Sequence, residues 1–261
     1  MKEIPLEYMT PCEAAGTLEQ LSIPGLTDAT VYLPAGYDRE KERYPVFILL
    51  HGGGGDQYSF FSVDGILKNM IDHMIQSGEM RPMIIVAPSY YPIGKKDEGV
   101  DYSMDAVRDF ESILVGKILP MIDRKYSTIP ERRFRGIGGF AMGAVATWYI
   151  MMMDGTRYFY WFMPMSGDCW ICGRHGGKEH TKQTASLMAT ALAGKNFYIY
   201  ALAGGRDIGY PNLDPQIQAM MENYPEVFSG KMTYSVLPEG AYDYADVRRY
   251  IYNALPRFFR K

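Results

Sequence analysis

Short runs of apolar and β-branched residues, at 29–33, 46–51, 83–87, 133–138, 159–165, 196–203 and 232–237, alternate with longer stretches of a different period. In the longer stretches, at 61–76, 104–126, 142–153, 186–193, 214–223 and 245–259, apolar positions recur every three or four residues. The first set predicts strands and the second helices. Several strands are apolar without alternation, as in Val46-Phe47-Ile48-Leu49-Leu50, the pattern of a strand covered on both faces. Alternation of this kind predicts an α/β fold with a largely parallel sheet between two helical layers. Functional residues then belong on loops at the carboxyl ends of the strands. No internal repeat, low-complexity tract or linker interrupts the pattern, so residues 1–261 are expected to form one domain.

At 261 residues, 47% hydrophobic and 22% charged, the chain can bury a sizeable core. A formal net charge of -3 supplies no basic field, which argues against nucleic acid as a partner. Met1-Lys2-Glu3-Ile4-Pro5 opens without the apolar stretch of a signal peptide, and no apolar run reaches membrane-spanning length. The chain as given is expected to be soluble, an exported form having lost a leader or been cut as a module from a longer protein. Cys12 stands alone, while Cys169 and Cys172 are followed by His175 and His180. Thiolate and imidazole at short spacing suit zinc, but this spacing matches no common zinc motif, so free thiols and no bound metal are expected.

Gly139, Phe140, Ala141, Met142 and Gly143 have the frame of a Gly-x-Ser-x-Gly nucleophile elbow with alanine at its centre. In such an elbow, a tight strand-to-helix turn lifts the central side chain above the sheet, and its glycines let the backbone pass close to itself. On its own the pattern would equally suit a glycine-rich turn of any α/β protein. Upstream, His51-Gly52-Gly53-Gly54-Gly55 follows the apolar strand at 46–51, where such folds place backbone N–H donors for an oxyanion. A phosphate cradle is excluded, because no Gly-Lys-Ser/Thr follows and the spacing is not Gly-x-Gly-x-x-Gly.

These motifs occur in chain order with Val31-Tyr32-Leu33-Pro34, Tyr44-Pro45-Val46, Phe162-Met163-Pro164-Met165-Ser166-Gly167-Asp168-Cys169-Trp170 and Tyr250-Ile251-Tyr252-Asn253-Ala254-Leu255-Pro256. Taken together, the sequence resembles a feruloyl esterase of carbohydrate esterase family one over nearly its whole length. The resemblance implies an α/β-hydrolase fold, a Ser-His-Asp triad and no cofactor. It also implies an oxyanion hole at Gly53 and Met142, and hydrolysis of hydroxycinnamoyl or acetyl esters on plant xylan. Secretion, often as a module of a larger multidomain protein, is implied as well.

Carried over residue by residue, the serine position is Ala141 and the acid is Asp207 in Gly204-Gly205-Arg206-Asp207-Ile208, with Arg206 leaving that register open by one residue. The histidine position, in Gly240-Ala241-Tyr242-Asp243-Tyr244, is Tyr242. The missing base is visible without any family, since such hydrolases supply nucleophile, acid and histidine in that order and no histidine follows His180. A phenol, with its ordinary pKa near 10, is a poor base at neutral pH. Ala144 also stands where the family usually has a further glycine. Because triad members act as a unit and loss of serine alone costs about 10⁶-fold in a serine protease, a second change favours natural loss over a deliberate knockout.

The resulting expectation is an inactive esterase-like domain that binds feruloylated or otherwise decorated xylan, through a xylan-derived oligosaccharide or its hydroxycinnamoyl ester. Trp170 is the candidate for stacking on the ligand, with Tyr242 and Tyr90 or Tyr91 beside it. Asp168 and Asp207 are candidates for fixing ligand hydroxyls, the plain alternative for each residue being packing. The rival expectation is an active feruloyl or acetyl-xylan esterase carrying inactivating substitutions. A third is a scaffold that uses an outer face for protein contacts.

Overall fold

The computed structural model describes residues 1–25, 28–61, 65–92 and 99–260, with backbone only at 100–103. Strands β1 (Thr17–Leu21), β2 (Ala29–Leu33), β3 (Val46–Leu50), β4 (Ile84–Pro88), β5 (Arg135–Phe140), β6 (Trp161–Met165), β7 (Tyr198–Gly204) and β8 (Met232–Leu237) form one sheet. Its order is β1-β2-β4-β3-β5-β6-β7-β8. The pairs β1 with β2 and β2 with β4 are antiparallel, and every later pair is parallel. Helices α1 (Ile66–Gln76), α2 (Val100–Ile113), α3 (Leu119–Lys125), α4 (Met142–Met152), α5 (Gly176–Glu179), α6 (Thr181–Leu192), α7 (Tyr210–Asn223), α8 (Pro225–Phe228) and α9 (Tyr244–Ala254) flank it. This is the α/β-hydrolase arrangement.

The period-two geometry of a strand explains the two layers. Val46, Ile48 and Leu50 of β3 face one apolar cluster with Val107 of α2, Trp148 of α4 and Met188 of α6. Phe47 and Leu49 face the other, with Met70 and Met74 of α1 and Val247 and Ile251 of α9. Since β3 is apolar at all five positions and fully buried, it needs cover on both sides.

Several boundaries differ from the sequence expectation for identifiable reasons. The helix expected at 61–76 begins at Ile66, and residues 62–64 lie outside the described residues. The pattern at 104–126 is not one α-helix: a π turn, Leu114–Ile118, separates α2 from α3. Pro120 lies just beyond it. Proline lacks an N–H and crowds the carbonyl four residues earlier, and the wider turn relieves that conflict. The strand expected at 133–138 runs from Arg135 to Phe140 and so gains Gly139 and Phe140 beyond Gly138. There the glycines answer to close backbone approach: a Cβ at Gly138 would stand 2.5 Å from the Met163 carbonyl oxygen.

A buried charge ties the antiparallel edge to α1. Asp72 is 1% exposed and accepts from Gly16 N–H at 2.8 Å, Tyr32 Oη at 2.7 Å and Lys68 Nζ at 2.7 Å. Asp72→Ala would strand three donors, and a loss of about 2–3 kcal/mol is expected, measured as a lower urea midpoint with an unchanged slope.

Candidate functional site

Parallel pairing of β3 with β5 brings Leu50 opposite Gly139, so the glycine loop and the elbow leave the sheet side by side. Ala141 keeps the elbow's backbone at φ 55 and ψ -114, a region that side-chain-bearing residues rarely occupy. The glycines on either side make this possible. A Cβ on Gly139 would stand 2.6 Å from the Leu50 carbonyl oxygen, and one on Gly143 only 2.3 Å from that same atom. Ala144 packs against the next loop, since a Cβ on Gly167 would meet the Ala144 methyl at 2.9 Å and the Ala141 carbonyl oxygen at 2.5 Å. Across the turn, Gly53 lies against Met142, with a Cβ on Gly53 placed 3.2 Å from Met142 Cγ.

The elbow opens on a cavity of about 330 Å³, lined by Gly53, Ala141, Met142, Trp170, Tyr242 and Tyr244 among others. Asp207 follows β7 and is 3% exposed. Its Oδ1 accepts from Gly209 N–H at 2.6 Å, while its Oδ2 is buried with no partner among the described residues. Burial pushes its carboxyl pKa up, partly offset by the Ser166 hydroxyl and by the N–H groups of Gly209 and Gly204. Arg206 points outward to Glu239, so Asp207 is the inward group of this pair. The loop after β8 is pressed onto the acid loop: Arg206 N–H donates to the Gly240 carbonyl at 2.9 Å, and a Cβ on Gly204 would stand 2.3 Å from that oxygen. Tyr242 emerges there, 38% exposed, with its ring 4.7 Å from that of Phe140. Burial first, then the Asp207 charge, push the Tyr242 phenol up to about 12.

A histidine-free Asp207 has a consequence for stability. With its pKa raised, the native state keeps the proton to a higher pH than the unfolded chain does, so stability falls as pH rises from the ordinary value of 3.8 through the raised one. Asp207→Asn removes that loss and retains an acceptor for Gly209. Its unfolding temperature is expected to exceed the parent's at pH 7, with the gap closing below about pH 4, as scanning calorimetry at both pH values would read.

Against sequences of known families, the profile of the Esterase family matches residues 22–214.

The chain belongs to the Esterase family.

Tyr242 and α9 lie beyond the matched range. This Esterase-family chain is similar to Endo-1,4-beta-xylanase Y of Acetivibrio thermocellus, at 34% identity over 275 residues, 98% of this chain and 24% of that protein. It is also similar to an Endo-1,4-beta-xylanase/feruloyl esterase of Xylanibacter ruminicola, at 29% identity over 143 residues, 53% of this chain and 19% of that protein. The chain therefore spans a quarter or less of the length of these two relatives. Among solved structures, a serine-to-alanine mutant of the feruloyl esterase module from Clostridium thermocellum, complexed with sinapinate, matches at 33% identity and a TM-score of 0.81. That match covers 98% of this chain and 92% of the module.

Within this member of the family, the candidate residues divide. Ala141, Met142, Gly53, Trp170, Asp168 and Tyr242 line the cavity, and Asp207 immediately precedes Ile208 and Gly209 of its wall in the chain. Trp170 is held there by its Nε1, which donates to Asp168 Oδ1 at 2.8 Å. Its other oxygen accepts from Gly177 N–H at 2.8 Å and the residue is 2% exposed, so the Asp168 carboxylate orients Trp170 from within the cavity wall. Tyr90 and Tyr91 are placed differently. Each is 1% exposed and packed on His51, at 4.2 and 5.6 Å between rings, behind the glycine loop and not on the cavity wall. Apolar rings on the residues just after a buried strand continue its core.

Sequence reasoning missed Tyr244, Arg174, Ile208 and Asn212, all on the cavity wall. Tyr244 was within reach, because Asp243 caps α9 by accepting from Asp246 N–H at 2.9 Å, a signature that fixes Tyr244 as the first helical residue. Cys169 is fully buried with its Sγ 3.4 Å from Met152 Sδ. Among the described residues no group of three or more His, Cys, Asp or Glu side chains converges on one point.

Proposed function

We propose that this chain is a catalytically silent member of the Esterase family whose cavity binds hydroxycinnamoyl esters of plant xylan. One observation carries the reading: the elbow conformation survives at Ala141 around a side chain that cannot attack a carbonyl. Ester hydrolysis by this route needs an oxygen nucleophile and a base to take its proton. Ala141 supplies no oxygen, and a phenol held up to about 12 stays protonated at neutral pH and so donates a hydrogen bond instead of accepting a proton.

What remains suits binding. Gly53 and Met142 line the cavity beside the elbow, where their N–H groups would receive a carbonyl oxygen, and Trp170 and Tyr242 on the same wall would stack on an aromatic acyl group. The related clostridial module, as a serine-to-alanine mutant, was complexed with sinapinate, which supports a hydroxycinnamate as the ligand class. The names of the two curated relatives support a place within a larger xylan-degrading protein. Because polymeric xylan lies outside cells, the reading includes secretion. Among the described residues no helix is long and apolar enough to cross a membrane.

The competing reading, an active feruloyl or acetyl-xylan esterase disabled by substitution, draws on the intact elbow. The tyrosine in the base's place argues against it, since removing the nucleophile alone already abolishes turnover. Titration calorimetry with feruloylated xylo-oligosaccharides is expected to give saturable heat below about 1 mM ligand, with no release of ferulate over hours. Absence of heat at that concentration removes the binding role, and steady release of ferulate by the unaltered chain removes the silence.

A further inference from the structure

Two tyrosine hydroxyls from distant parts of the chain grip the glycine loop on either side of Gly53. Gly52 N–H donates to Tyr244 Oη at 3.2 Å, from the first residue of α9. Gly54 N–H donates to Tyr91 Oη at 3.3 Å, from the loop after β4. Gly55 N–H is taken by the Gly52 carbonyl at 3.1 Å. Between them, the Gly53 N–H has no acceptor among the described residues, and Gly53 is the exposed member of the run.

We infer that Tyr91 and Tyr244 are positioning residues that fix Gly52 and Gly54 so that the Gly53 N–H points into the cavity beside that of Met142. This rests on the reading that the cavity binds a carbonyl compound. The physical need is plain. Four successive glycines have no side chains to hold them and the widest backbone freedom of any residue, so an untethered loop would scatter its donors and lose affinity to ordering. The tethers are themselves rigid. Tyr91 is 1% exposed and lies 4.7 Å from the Tyr90 ring and 5.6 Å from His51. The Tyr244 ring meets Phe60 and Phe140 edge-on, each at 5.2 Å. A donor pair held in advance at the site of a carbonyl oxygen is the arrangement that costs least to occupy.

Tyr244→Phe and Tyr91→Phe each keep the ring and delete one acceptor, so the fold survives the test. In the ligand-free protein, amide hydrogen exchange is expected to quicken about tenfold or more at Gly52 in Tyr244→Phe and at Gly54 in Tyr91→Phe. Unchanged exchange at both positions overturns the tethering. Affinity is then compared for methyl ferulate and for coniferyl alcohol, its counterpart without a carbonyl. Each variant is expected to lose about tenfold for the ester and markedly less for the alcohol. Equal losses for both compounds mean a misshapen cavity and overturn the donor role. A parent protein that binds neither compound overturns the binding reading and the donor role with it, while the exchange rates still decide whether the tyrosines tether the loop.

Discussion

Ala141→Ser combined with Tyr242→His is expected to create ester turnover at least about 10³-fold above either single variant. The serine hydroxyl would inherit an elbow already at φ 55 and face the N–H donors of Gly53 and Met142. Alone it would remain protonated, because the neighbouring phenol has a pKa pushed up to about 12 and takes no proton at neutral pH. Histidine alone would have nothing to activate. Together they meet an acid that is waiting: Asp207 Oδ2 is buried without a partner among the described residues and would accept the imidazole N–H, fixing the tautomer that leaves the other nitrogen free as base. Methyl ferulate hydrolysis should rise with pH through the imidazole pKa, near about 6.5. A double variant no faster than the serine variant would mean that position 242 is not where a base belongs.

Gly143→Ala is expected to cost about 4 kcal/mol or more, enough to lower the unfolding temperature by about 10 °C or to prevent folding. The added methyl would lie 2.3 Å from the Leu50 carbonyl oxygen and 2.7 Å from that of His51, both backbone atoms of a fully buried strand end. Neither can move without dragging β3. Gly194→Ala makes a useful contrast, since its φ of 69 and the open space around a Cβ there make the penalty one of backbone strain, on the order of 1 kcal/mol. Urea unfolding of both variants separates the two mechanisms. Similar midpoints for the two would show that the elbow's close packing is not what holds this turn.

The layered architecture was legible because β3, β4 and β7 carry apolar residues on both faces, a pattern only a covered parallel sheet explains. β1 was not legible. Thr17–Leu21 buries only Leu21 and lies at an antiparallel edge, so its composition reads as loop. Helices α5 and α8 span four residues each, less than the two turns over which a 3.6-residue period becomes visible. At the site, Gly139, Gly143 and the glycine loop announced themselves because glycine marks places where backbone must approach backbone. Trp170 lies on the cavity wall, whereas Tyr90 and Tyr91 are buried on His51, for an aromatic ring offers the sequence no means of telling a wall from the core behind it. Tyr242 and Asp207 lie far apart in the chain and are brought near each other by the packing of Gly240 on Gly204 and Arg206, which no local pattern encodes.

The unusual backbone at position 141 is imposed by its neighbours and owes nothing to the residue that occupies it, since an alanine methyl offers no hydrogen bond to hold it there. Chemistry and geometry have thus become separable in this protein. Thiol or hydroxyl side chains introduced at that one position would inherit a ready-made perch, with no rebuilding of the main chain around them.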